Sequence, residues 1–170
     1  MSTLIKYRLV LSAFMLGLIL SGVTAFPLAL EMQLLTNWFG INPSLPPQHY
    51  TGLAFWLATV NQGLHDTYAA YPWVAYGTDW LAFAHIVIAV YFVGPLLNPV
   101  RNEWVIRAGL IGCVLVLPLA LICGPLRGIP LYWRYIDCSF GVLGAVPLLY
   151  CLRLTRVMRV SIDHRKDSAK

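Results

Sequence analysis

Charge is what this sequence has least of. Only 11% of its 170 residues are Asp, Glu, Lys or Arg, against about a quarter in soluble domains. With 59% of the residues hydrophobic, a soluble globule is excluded, and so are disordered, coiled-coil and collagen-like chains, whose compositions are more polar or strictly periodic. Catalytic signatures are missing too: there is no phosphate-binding glycine loop, no H-E-x-x-H, no G-x-S-x-G and no Cys/His spacing for zinc, so no metal site is expected. C-x-x-C-H is absent as well, so any haem would be held non-covalently. Lys and Arg are wholly missing between Glu31 and Asp79.

What is present is a series of apolar runs, with a mean hydropathy of +0.70. The first, over about 9–30, is uncharged, is bounded by Lys6, Arg8 and Glu31, and at about 22 residues is long enough to cross a bilayer. A cleaved signal peptide is the competing reading, because Val23-Thr24-Ala25 offers small residues after a basic start. The apolar character continues through Phe26 to Leu30, which favours an uncleaved span followed by a short extension to Phe39. Further spans are expected over about 80–97, 105–126 and 131–152, making an all-α polytopic membrane protein with four transmembrane helices. The last is constrained by length. Asp137 and Arg153 lie about 15 residues apart, or ~22 Å of helix, against a hydrocarbon layer of ~30 Å. Either this span starts near Leu131 or the membrane thins, and in the first case Arg134 and Asp137, at i and i+3, can face each other.

Between the first two spans, about 51–71 reads as an amphipathic helix on the outer face. Leu53, Trp56, Leu57, Val60, Leu64, Tyr68 and Tyr71 fall on one side and Asn61, Gln62, His65 and Asp66 on the other. Orientation follows from the basic residues. Lys6, Arg8, Arg101, Arg107 and the tail 153–170, with Arg153, Arg156, Arg159, Arg165, Lys166 and Lys170, fall on one side of the threading, and only Arg127 and Arg134 on the other. Both termini are therefore expected in the cytoplasm, with the chain in the cell inner membrane and the tail attracted to anionic lipids. Placed at the ends of apolar runs, these cations read as topology signals and not as a nucleic-acid surface.

The remaining ionisable groups gather toward the outer side: His65, Asp66, Asp79, His85, Arg127, Arg134 and Asp137. Charge at membrane depth is costly unless paired, so their convergence suggests a polar pocket. Structural roles compete with that reading. Thr78 and Asp79 stand where a helix needs an N-cap, and Asp137 suits the positive end of its own helix. His85 lies about six residues, or ~9 Å, inside the helix from Asp79. It is a candidate ligand or proton carrier, or a hydrogen-bonding partner for a neighbouring helix. A bis-imidazole haem would need His65 as the second ligand.

The cysteines pair by depth in an antiparallel hairpin: Cys123 with Cys138 as an outer thiol pair open to oxidation, and Cys113 with Cys151 further in. Small thiols filling helix interfaces are the simpler account. Without C-x-x-C, the chain parts from membrane thiol oxidases of similar size and span number. Gly94-Pro95-Leu96 and Gly124-Pro125-Leu126 hint weakly at a repeat, although helix breaking by Gly-Pro accounts for both.

The functional expectation is a non-enzymatic, transporter-like or accessory membrane subunit with an outward polar pocket and no required cofactor, as a homo-oligomer or within a membrane complex. The alternative is a redox, quinone- or haem-binding enzyme subunit using His65 and His85, with Arg127 and Arg134 holding an anion. A purely structural subunit is the third reading.

Overall fold

In a computed structural model, which describes residues 2–167, the chain is 85% helix with no strand among those residues. The helices are α1 (Thr3–Ala25), α2 (Leu28–Trp38), α3 (Gly52–Ala70), α4 (Ala75–Tyr91), α5 (Val93–Leu97), α6 (Glu103–Pro118), α7 (Gly124–Leu126) and α8 (Leu131–Asp167). Single 3-10 turns occupy Pro47–His49 and Pro72–Val74, and a π-helical turn over Leu119–Cys123 joins α6 to α7. The end of the basic tail, including Lys170, lies outside the described residues.

Four stretches are long and apolar enough to cross a membrane: Thr3–Ala25, Pro72–Leu97, Glu103–Leu126 and Leu131–Ile162. Their limits follow backbone chemistry more closely than hydropathy does. Pro27 has no N–H to give, so α1 ends at Ala25 and α2 starts afresh at Leu28, where the apolar pattern alone runs on to about residue 30. The second stretch begins at Pro72, earlier than the expected 80, because proline is well suited to a first helical turn. Thr78 and Asp79 consequently lie within α4 and do not cap it; the Thr78 hydroxyl donates to the Ala75 carbonyl at 2.7 Å. Pro95 interrupts the ladder again and separates α4 from α5. α8 starts at Leu131, the first of the two expected solutions, and runs unbroken to Asp167, so Arg153, Arg156 and Arg159 extend it.

Two compact units can be distinguished. In the one formed by Met1–Leu18 and Ile88–Lys170, α6 packs along α8 over a core of Tyr7, Leu11, Phe92, Ile106, Leu148 and Cys151. Glycine permits this approach: a Cβ on Gly141 would lie 2.5 Å from the Cys113 carbonyl oxygen. Phe14 meets Phe92 edge to face, with ring centroids 5.1 Å apart.

In the other unit, Ile19–Val87, α2 folds back along α3 and buries Met32, Thr36, Ile41, Leu57 and Ala58. The reversal is made at Gly40, whose φ of 67° is open to glycine at little cost. Its N–H donates to Asn37 at 3.0 Å while that of Ile41 donates to Thr36 at 2.9 Å, a Schellman ending that delivers Ile41 into the hairpin.

Candidate functional site

The α2/α3 hairpin encloses a cleft of about 720 Å³. On α3, Ala58, Asn61, Gln62, His65 and Asp66 follow the i, i+3, i+4, i+7, i+8 spacing of one helix face, and on α2 Gln33, Thr36 and Asn37 face the same space. Asn42 and Ser44 close it from the connecting loop. That loop is tied down: the Asn42 N–H donates to the Tyr50 hydroxyl at 2.7 Å, and the Ser44 N–H donates to Asn42 Oδ1 at 2.9 Å. Amides, hydroxyls, one imidazole and one carboxylate make up the polar lining, with no Lys or Arg. The same bias extends to the whole unit, since Ile19–Val87 carries Glu31, Asp66 and Asp79 but no basic residue besides histidine. A field of this sign opposes anions.

Of the residues expected in an outer pocket, only His65 and Asp66 line this cleft, and both are exposed. Asp79 and His85 lie on α4. His85 is half-buried, its Nδ1 donates to the Leu81 carbonyl at 2.8 Å, and a Cβ on Gly22 would lie 3.1 Å from its own Cβ, so the imidazole sits where α1 and α4 approach closely. Arg127 follows α7, exposed, just before Gly128 at φ 70° ends that helix.

Arg134 and Asp137 do not form the expected ion pair. The Arg134 stem lies across Gly124, so close that a Cβ there would be 2.5 Å from Arg134 Cδ, and its Nε is buried without a hydrogen-bond partner. Ion pairs form at Glu103 instead, with Arg107 and Arg159. Cys123 and Cys138 are free thiols, one exposed and one half-buried; Cys113 packs against Gly144, and the buried Cys151 Sγ lies 3.9 Å from the Tyr7 carbonyl. Among the described residues no three His, Cys, Asp or Glu side chains gather to hold a metal ion.

Glu103 escaped the sequence reading. Its side chain is only 7% exposed, and both oxygens are used: Oε1 accepts from Arg107 at 2.6 and 2.8 Å, and Oε2 from Arg159 at 2.5 Å. The i, i+4 spacing of Glu103 and Arg107 is visible in the sequence; the partner on α8 is not. The α2 side of the cleft was missed as well, because Gln33, Thr36 and Asn37 read as an extension of the first span.

No protein-family model, curated protein or solved structure matches this chain.

Proposed function

We propose that this chain is a small multi-pass protein of the cell inner membrane that binds a small cationic or uncharged polar solute in the α2/α3 cleft, as a transporter-like or accessory subunit and not as an enzyme. The lining carries this reading: Gln33, Asn37, Asn42, Asn61 and Gln62 offer both donors and acceptors, Thr36, Ser44 and His65 add to them, and Asp66 is the only full charge. An anion held by Arg127 and Arg134 would need a different site, since neither lines this one.

Membrane residence is supported by how little of the apolar surface is covered. Only 11% to 22% of the four long apolar windows is buried by protein, and such surface is stable when lipid replaces water. The Lys/Arg asymmetry then puts both termini in the cytoplasm and Glu31 to Asp79, with the cleft, on the outer side.

Calorimetry on the purified full chain with ammonium compounds, polyols and carboxylates tests the reading. Ammonium or neutral solutes should bind in preference, and Asp66→Asn should weaken the ammonium compounds by about tenfold or more, the cost of losing a charge-assisted hydrogen bond. Preference for carboxylates, or indifference to Asp66→Asn together with Asn61→Leu, would overturn it.

A further inference from the structure

A second groove lies within the α6/α8 unit and has a different chemistry. It measures about 620 Å³ and runs between the start of α1, the loop after α5 and the end of α8. Leu4, Leu97, Val100, Val157 and Met158 give it apolar walls, and Arg101 is the charged residue in its lining among the described residues. The wall is held in shape from behind: the Asn102 amide donates to the Gly94 and Asn98 carbonyls at 3.0 Å each, and Arg8 Nε donates to the Leu96 carbonyl at 3.2 Å.

Arg101 is exposed and has no carboxylate partner among the described residues; nearby Glu103 is fully engaged by Arg107 and Arg159. An unpaired guanidinium at the mouth of an apolar groove matches a molecule with a hydrocarbon body and an anionic oxygen head. The groove lies where long apolar helices begin and end, at Thr3, Leu97 and Ile162, the level at which a spanning chain meets lipid headgroups. We infer that it holds one anionic phospholipid of the cytoplasmic leaflet, with an acyl chain along Leu4, Val157 and Met158 and the phosphate on the Arg101 guanidinium. This rests on the membrane reading, which alkaline extraction of native membranes tests separately, since a peripheral protein is released and a spanning one is retained.

Native mass spectrometry of the full chain, released from micelles containing equal phosphatidylglycerol and phosphatidylcholine, tests the assignment. The unaltered protein should retain one phosphatidylglycerol in preference. Arg101→Gln should lower that retention by about fivefold, the worth of one basic side chain at an anionic surface. Ser161→Trp, which fills the groove from α8, should lose both lipids, while Arg153→Gln, on the same helix but outside the groove, should lower retention less than Arg101→Gln does. Tryptophan-fluorescence melting of each variant separates loss of the site from loss of the fold. Equal retention of the two lipids, an equal effect of Arg153→Gln, unchanged retention in folded Ser161→Trp, or displacement by dissolved glycerol phosphate would each overturn the proposal.

Discussion

Glu103 joins two helices through one carboxylate. Its two oxygens take separate guanidinium groups, so α6 is connected to α8 at a point where the arginines alone would repel. Removing the charge should therefore cost more than either bond separately. Glu103→Gln is expected to destabilise the chain by about 1–3 kcal/mol, below the range for fully buried pairs because Arg107 and Arg159 keep contact with solvent. A double-mutant cycle with Arg159→Gln in denaturant melts checks this, and additive effects would remove the coupling.

The opposite holds for Asp137. Its i, i+3 relation to Arg134 was legible in the sequence, but the choice Arg134 makes between Asp137 and the groove over Gly124 depends on a helix pair that no spacing rule contains. A half-buried carboxylate without an ion-pair partner among the described residues is a burden on the fold. Asp137→Asn should raise stability by about 1 kcal/mol or less. A loss larger than that in the same melts would reinstate a paired Asp137.

At the scale of elements, hydropathy was a good guide to which segments are helical and a poor one to where they stop. Four long apolar helical stretches cover the runs near residues 9–30, 80–97, 105–126 and 131–152, and a further helix, Gly52–Ala70, occupies the segment about 51–71. The differences come from single residues acting on the backbone: Pro27 cuts a run that remains apolar, and Pro72 starts a helix before its apolar part begins. The cut at Pro27 also explains why half of the cleft was invisible. Asn61, Gln62, His65 and Asp66 were recognisable as the polar face of α3, whereas α2, read as more of the first span, gave no reason to look for a partner face. Gly40 makes that partnership, and it tests cleanly because a Cβ there would meet nothing within 4 Å. Gly40→Ala should cost about 1 kcal/mol through its positive φ alone, and Gly40→Asn should cost less. By contrast, Gly141→Ala must push α8 off the Cys113 carbonyl, an overpacking penalty of about 1–3 kcal/mol. If thermal melts give the reverse ranking, the close approach of α6 and α8 is wrong.

For the whole molecule, the decisive property is the segregation of charge. All 12 Lys and Arg residues lie outside Ile19–Val87, and this was legible without any structure because it is a matter of counting along the chain. Its consequence is topological. Lys and Arg close to the ends of spans resist translocation, and a loop without them crosses freely. On the proposed threading, residues 26–71, between the first two apolar stretches, form such a loop, flanked by Lys6 and Arg8 at the start of the first stretch and by Arg101 and Arg107 after the second. A reporter active only outside the cytoplasm should therefore work when inserted at Gln48, an exposed position in the turn Pro47–His49, and fail when fused after residue 170. Because orientation arises from the charge difference, it should also be movable. Replacing Lys6, Arg8, Arg101 and Arg107 with Gln while introducing Ser44→Lys and Gln48→Arg should invert or mix the signal from the outer loop. An outer reporter that is silent at Gln48 in the unaltered chain would reverse the threading, placing the cleft in the cytoplasm and the Arg101 groove on the opposite leaflet.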